Sequence, residues 1–434
     1  MPEPHRRKGP PAGRRAPVSA DVAVAVAGAG PQALTLCAHL LDRYPSLSGD
    51  LVVFDPAAAW LRAWDRRFAA LDIGWLRSPA VHHPHPEPYA LLEFRTARPE
   101  FRTHGYLPST ELFGAFCADV AARFRLGRVL QAVSVGAAVP AGGGVRLDTD
   151  RGSCRARVAV LATNPGRPRL PGWAEGHDGV LHAEAVDLRN RRFDGRTVLV
   201  IGGGLTAAHM ALGVAARGGH AVIVARRSRR VRPFDTDPGW LGPKEMNGFS
   251  KEPSFDRRVR LIREARDGGS IPPAYADALD RRIEAGTVTW RTATVLDARP
   301  GADGWQVTLA GGPELVVDEV WLATGWEYDV EAVPVFDAVR PSHPAAIAGG
   351  LPGLDTDLAW PGTDVFVMGA LAGLQLGPTA LNLSGARQGA ARITAAIGSR
   401  LGLPAPLPTK GVPCPRPAAS RTDAESFAPS GSRR

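Results

Sequence analysis

Two glycine-rich turns, each set between an apolar run and a helix-forming stretch, are the residues best suited to chemistry in this chain of 434 residues. The first is Gly28-Ala-Gly30-Pro31-Gln32-Ala33, directly after the Val-rich run 21–27. The second is Gly202-Gly203-Gly204-Leu205-Thr206-Ala207, directly after Thr197-Val-Leu-Val-Ile201. Both have the spacing GxGxxA. The first glycine of that spacing makes a tight turn, the second lets backbone approach a pyrophosphate, and the terminal small residue permits close helix packing. The helix that follows turns unpaired N–H groups toward the anion. The chemistry on offer is the binding of two dinucleotides.

The elements around each turn have the order such a site requires. Apolar runs without polar alternation suit parallel strands covered on both faces. After the first turn, residues 34–43 read as a helix, with Leu36, Leu40 and Leu41 on one side and Pro45 stopping it. Leu51-Val-Val-Phe54 is then a second strand ending at Asp55, 25 residues after Gly30, whose carboxylate is placed to accept from adenosine ribose hydroxyls. After the second turn, residues 208–217 read as a helix and 221–225 as a strand. The position of the ribose acid carries Arg226 and Arg227, with Arg229 and Arg230 close behind. A guanidinium there pairs bidentately with a 2′-phosphate. The second site is therefore expected to prefer NADPH; the competing reading is a solvated basic turn. A further repetition links the two units. Arg157-Val-Ala-Val-Leu161 and Asp318-Glu-Val-Trp321-Leu322 each run into Ala-Thr, the second ending at Thr324-Gly325. These are expected to be the chain crossings between a first nucleotide domain and a second one inserted into it.

Composition removes other classes. Hydrophobic residues make up 44% and charged residues 22%, as in soluble globular chains. The net charge of +9 invites a nucleic acid or an anionic membrane as partner, but it sits at the ends. Residues 1–20 carry five basic residues and one acid, and residues 403–434 carry five and two. Rich in Pro, Ala, Ser and Gly, both ends (1–19 and 403–434) read as disordered basic tails. The nearly neutral body shows no basic face interleaved with aromatics, so no nucleic acid is expected. Cys37, Cys117, Cys154 and Cys414 are far apart, which disfavours a redox dithiol, a zinc site or a disulfide scaffold. The apolar run 22–30 after the basic start lacks a cleavage site and is better explained as the first strand. Run 365–386 is uncharged but broken by Gly369, Gly373, Gln375, Gly377, Pro378 and Asn382, so no membrane span is expected. The expected location is cytoplasmic.

Taken together, Gly28 to Ala33, Phe54-Asp55, Ala162-Thr-Asn-Pro-Gly-Arg-Pro-Arg-Leu-Pro-Gly172, Gly202 to Ala207 and Ala323-Thr-Gly-Trp326 resemble the two-dinucleotide-binding-domain flavoproteins. The resemblance spans roughly residues 20–400 and is narrower toward the flavin-containing and N-hydroxylating monooxygenases of the ornithine and lysine N-hydroxylase type. It implies an α/β fold with two Rossmann-like domains, the NADPH domain inserted in the FAD domain. The implied boundaries are 20–170 plus 318–400 for FAD and 171–317 for NADPH, with an active-site insertion at about 233–269. The implied activity is FAD-dependent, NADPH-using oxygenation of a nucleophilic nitrogen or sulfur of a small amine or amino acid, with dioxygen, through a C4a-hydroperoxyflavin. A homo-oligomer is compatible with it. A flavoprotein reductase without oxygen insertion and a non-catalytic redox-sensing nucleotide binder are the competing readings.

The resemblance also implies site residues. Arg77 and Ser78 are placed beside the flavin ring, and Trp64 joins the cofactor set. Gln375 and Asn382, ahead of a helix over about 381–397, are placed to hydrogen-bond at the flavin's pyrimidine edge. Their competing reading is turn capping. Thr324 and Gly325 close the second crossing. Gly179-Val-Leu-His182 is similar to a family linker of the form FxGxxxH and makes His182 a cofactor-binding candidate, with a loop or capping histidine as the alternative. In the insertion, Asn247 resembles an asparagine that contacts nicotinamide and substrate, and Lys244 is one of only four lysines. Lys244, Asn247 and Arg77 are the catalytic candidates. His82-His83-Pro-His85 is read as a loop bordering the flavin, with no metal expected.

Overall fold

The computed structural model describes residues 18–104, 107–163 and 166–404. The stretches read as tails therefore lie almost wholly outside the described residues. Strand formation begins at Val18, one residue before the expected end of the first of them.

The Val-rich run becomes the strand Val18–Ala27, parallel to Leu51–Asp55 on one side and to Gly152–Leu161 on the other. Val24, Ala25 and Val26 are fully buried, as a strand covered on both faces demands. Beyond Leu51–Asp55 lies the parallel strand Leu130–Ala132. Gly152–Leu161 has two further partners. Its first half pairs antiparallel with Gly144–Thr149, which continues into Val135–Ala141, and its last three residues pair parallel with the late strand Val365–Val367. The helices Pro31–Arg43 and Leu383–Leu401 pack against this sheet and each other. Gly398 lies so close to Tyr44 that a Cβ there would stand 2.0 Å from the phenol oxygen.

A second sheet is wholly parallel, in the spatial order 180–182, 319–322, 197–201, 220–225, 288–292. The helices Leu205–Ala215 and Pro273–Glu284 cover one face and contribute Met210, Ala211, Val214 and Leu279 to its core. An antiparallel meander, 295–301, 304–309 and 315–317, covers the other.

This topology corrects one boundary. The strand 319–322, expected in the first domain, pairs with Thr197–Ile201 and Val180–His182 and so closes the second. Its likeness to 157–161 arises because both strands lie beside the first strand of their own sheet. The crossing itself is a short antiparallel ribbon of Gly166–Pro168 with Trp326–Tyr328. The second domain accordingly ends near residue 323.

Candidate functional site

Both glycine turns emerge at the carboxyl ends of parallel strands, where open α/β sheets bind ligands. Their geometries repeat. Gly28 has φ +101 and Gly202 φ +149, values that favour glycine. A Cβ on Gly28 would stand 2.8 Å from the Ala162 carbonyl oxygen, and one on Gly202 would stand 2.4 Å from that of Ala323. Gly28 N–H donates to Phe54 O at 2.8 Å, and Gly202 N–H to Val224 O at 3.0 Å. The two Leu-Ala-Thr segments thus supply the same carbonyl buttress to the two fingerprints.

In the first site, Asp55 accepts from the N–H groups of Ala29 at 3.1 Å and Ala57 at 2.9 Å, which fixes its carboxylate at the mouth of the turn. Gly30 is the N-cap of Pro31–Arg43, and a Cβ on it would meet no heavy atom within 4 Å. The side chain of Gln32 donates to Ala380 O at 3.2 Å, leaving its Oε1 buried without a partner. Asn382 heads the helix Leu383–Leu401; its Nδ2 lies 3.4 Å from Asp235 Oδ1 and its Oδ1 is likewise buried and unpartnered. An open turn, an extended helix N-terminus and two orphaned amide acceptors on neighbouring segments fit a dinucleotide whose ring carries N–H donors. Gln375 shows the same pattern: it is 8% exposed, its amide donates to Leu354 O at 2.5 Å, and its Oε1 is likewise buried and unpartnered. It braces the late Gly-rich stretch. Trp64 packs on Phe68 and Phe113, with ring centroids 3.8 and 5.4 Å away, and joins the first domain's core.

In the second site the backbone of residues 268–269 lies over the turn. A Cβ on Gly204 would stand 3.0 Å from Gly269 Cα, so that segment packs directly against the turn. By hydrogen-bond register Asp55 corresponds to Ala225, and Arg226 stands one residue later. Arg226 is exposed. Arg227 is held by Asp267, Nη1 to Oδ1 at 3.0 Å, and Arg229 by Asp280 at 2.7 Å. The basic turn is therefore charge-paired, which the sequence reading did not anticipate. Asp267 could have been noticed as the end of a basic helix followed by Gly268-Gly269, a common helix stop.

Arg77 joins the two domains. It extends from the first domain, but its guanidinium reaches the second: Nε donates to Pro233 O at 3.1 Å, Nη2 to Arg232 O at 2.9 Å and to Ser270 Oγ at 2.8 Å, and Nη1 to Ser270 O at 3.2 Å. Burial holds its pKa down to about 10, with nearby Asp235 opposing the shift. Arg77 is a clamp between domains, with four of its N–H directions spent; the half-buried Ser78 follows it.

The insertion docks on the first domain. Val259, with the partly buried Phe255 and Ile262, packs on Ala348, Leu351 and Leu374. Arg258 donates to Leu374 O at 2.8 Å and Arg266 to Pro378 O at 3.0 Å, while Arg266 also pairs with Asp235 at 3.3 Å. On the helix Pro243–Lys251, Met246 faces Gly377 and Phe249 is buried. Lys244 and Asn247 are exposed and, at helical spacing, fall on the opposite side. The structure does not bring them to the cleft.

His182 sits at the crossing. Its Nδ1 accepts from Glu184 N–H at 3.3 Å, which leaves Nε2–H to donate to Gly325 O at 3.1 Å. Burial lowers its pKa, opposed by the Gly325 hydrogen bond and Glu184. Thr324 Oγ donates to Arg169 O at 2.5 Å. These contacts brace the hinge ribbon. The loop His82–His85 is pinned by Arg387, whose Nη1 donates to His83 O at 3.0 Å and whose Nη2 donates to Pro86 O at 2.8 Å. Among the described residues no group of His, Cys, Asp and Glu is placed to hold a metal.

On the helix after the second turn, His209 is buried against Tyr275, and burial pushes its pKa down to about 4. The unfolded chain takes up this proton below about pH 6.5 and the folded chain does not. Stability present above that pH is then lost as pH falls toward 4, by about 3 kcal/mol from this group. Thermal melts of His209→Phe at pH 7 and 4.5 are expected to show about 2 kcal/mol less loss than the parent protein; equal losses would refute the assignment.

Residues 25–166 match a protein-family model described as FAD-NAD(P)-binding. A comparison with curated proteins finds no match. Among solved structures the chain is similar to an ornithine N-hydroxylase of Kutzneria sp. 744, with TM-score 0.71, 18% identity, and 88% of this chain and 100% of that chain covered. L-lysine 6-monooxygenase from Pseudomonas syringae gives 0.68 at 20% identity, with the same coverage. Bacillithiol disulfide reductase from Bacillus cereus gives 0.57 at 18%, covering 88% and 99%. No helix among the described residues is long and apolar enough to cross a membrane. The chain thus has the fold of these solved structures, and its residues 25–166 carry the match to the FAD-NAD(P)-binding model.

Proposed function

We propose that this protein is an FAD-dependent, NADPH-using monooxygenase acting on a nucleophilic nitrogen of a small amine or amino acid, with sulfur as the alternative acceptor. The observation that carries the reading is the repeated buttress of the two glycine turns, set in a fold that corresponds over 88% of the chain to an ornithine N-hydroxylase whose structure contains reduced FAD, NADP+ and L-ornithine. Bound FAD would supply the redox chemistry, accepting hydride and activating dioxygen. The chain's own residues bind, orient and exclude water. Gly28, Gly30, Pro31 and Ala33 shape the FAD turn and Asp55 receives the ribose. Gln32 and Asn382 present free amide oxygens to ring donors. Gly202, Gly204, Leu205, Thr206 and Ala207 shape the NADPH turn, with Arg226 and Arg227 reading the 2′-phosphate. Arg77, His182, Thr324, Gly325 and Gln375 are positioning residues. Lys244 and Asn247 are assigned no contact with the reacting atoms.

A reductase built on a cysteine pair is disfavoured. Cys37, Cys117 and Cys154 are buried, and burial pushes all three thiols up, Cys37 to about 12. The test measures flavin absorbance of the purified protein and NADPH consumption against a panel of amines and amino acids, comparing oxygenated product with released hydrogen peroxide. A yellow protein that couples NADPH and dioxygen to a hydroxylated amine supports the reading. Steady NADPH oxidation that yields no oxygenated product from any panel member overturns it in favour of a reductase, and absence of flavin binding overturns both.

A further inference from the structure

The second nucleotide turn contains an anion of its own. Asp267 ends the helix Phe255–Arg266 in the left-handed conformation, φ 40 and ψ 43, with its N–H bonded to Arg263 O at 2.7 Å. From there its carboxylate meets both Arg227 and Arg230: Oδ1 takes Arg227 Nη1 at 3.0 Å and Oδ2 takes Arg230 Nη1. The Asp267 carbonyl accepts from the same two side chains, at 2.9 and 3.0 Å. The next residue, Gly268, has φ +71, a left-handed value that favours glycine, and its Cα faces Arg227 Nη2 closely enough that a Cβ would stand 2.2 Å from it. The arginine fork is thus folded onto the Asp267-Gly268 backbone. Of the four arginines after the strand His220–Ala225, Arg229 is held by Asp280, and Arg226 alone has no carboxylate partner among the described residues.

We infer that Asp267 is a specificity-determining residue for the dinucleotide, an internal counter-anion that a 2′-phosphate must displace from Arg227 and Arg230. The inference rests on the reading that the second turn takes NADPH. A dinucleotide with a free 2′-hydroxyl makes no claim on these guanidinium groups and leaves Asp267 where it is. One with a 2′-phosphate brings a second anion to the same donors and meets the carboxylate's repulsion. The side chains are partly exposed, Arg227 at 53% and Asp267 at 35%, so solvent screens the effect to the scale of surface ion pairs. Asp267 thereby holds NADPH affinity below what the arginines alone would give, and leaves NADH affinity untouched.

The experiment is titration of NADPH and NADH, followed by nicotinamide fluorescence, into the flavin-loaded full-length protein and its Asp267→Asn variant. Asparagine tolerates the left-handed conformation and keeps the side-chain shape while removing the charge. The expected result is NADPH binding tightened about fivefold with NADH changed by less than about twofold. In the variant that combines Asp267→Asn with Arg227→Gln and Arg230→Gln the gain in NADPH affinity should disappear. Equal weakening of both dinucleotides in Asp267→Asn, with a lowered melting temperature, would show a residue that only builds the loop and would overturn the proposal. Unchanged selectivity with normal binding overturns it too. If neither nucleotide binds any variant or the parent protein, the NADPH reading itself fails and takes the proposal with it.

Discussion

Gly30→Ala is expected to leave a folded apoprotein that no longer retains flavin. Gly30 has φ −80 and ψ −176, extended backbone that alanine adopts freely, and no heavy atom lies within 4 Å of the added methyl. The fold therefore registers little beyond the poorer N-cap, about 1 kcal/mol. The methyl points into the space a pyrophosphate needs in order to reach the N–H groups of the helix Pro31–Arg43. Losing two hydrogen bonds to a charged group costs about 3 kcal/mol, roughly a 100-fold weaker FAD affinity. Gly28→Ala provides the contrast. There the added carbon collides with the Ala162 carbonyl in a left-handed residue, so both stability and flavin content should fall. Flavin absorbance per protein and melting temperature, measured on both variants, separate the two cases. An alanine at position 30 that keeps its flavin would sink the assignment of this turn to the pyrophosphate.

Arg77→Ala should uncouple the two domains. The variant removes four hydrogen bonds at once and leaves the carbonyls of Arg232, Pro233 and Ser270 without their donor. Unpaired carbonyls and a lost buried guanidinium cost about 3 kcal/mol in stability. The flavin is held by other residues, so flavin content should stay close to that of the parent. The rate of flavin reduction by NADPH should fall by about tenfold or more, because the segments positioned by Arg77 carry the second nucleotide turn's cover. Lysine is not expected to rescue it, since an ammonium cannot present a planar fork to acceptors on two segments. Stopped-flow reduction with NADPH, beside a thermal melt, checks this; an unchanged reduction rate in a folded Arg77→Ala protein contradicts the clamp.

Much of the nucleotide-binding apparatus could be read from local sequence because its physics is local. A GxGxxA spacing after an apolar strand specifies turn, helix start and strand order within some thirty residues, and the strands 18–27, 51–55, 197–201 and 220–225 lie where the pattern puts them. The orphaned oxygens of Gln32 and Asn382 likewise sit on residues that the sequence had singled out. The repeated Leu-Ala-Thr segments were visible too, but their meaning was not. Whether 319–322 belongs to the first sheet or the second depends on which edge it pairs with, and pairing across more than a hundred residues leaves no trace in local periodicity.

Side-chain destinations divide in the same way. Asp55 stays beside its own turn, since it is bound by backbone N–H groups near it in the fold, and its position follows from the strand that carries it. Arg77, Arg227 and Asn382 have long reaches or partners on distant segments, namely 232–270, Asp267 and Asp235. Residue type and spacing alone therefore determined two dinucleotide turns and the strands and helices that build them. The tertiary structure alone decided that Arg77 clamps the domains, that Lys244 and Asn247 face outward, and that Asp267 already occupies the arginines of the second turn. The physical reason is that hydrogen bonds and ion pairs form with whatever the packed chain brings within about 3 Å, and that neighbourhood is a property of the assembled sheets.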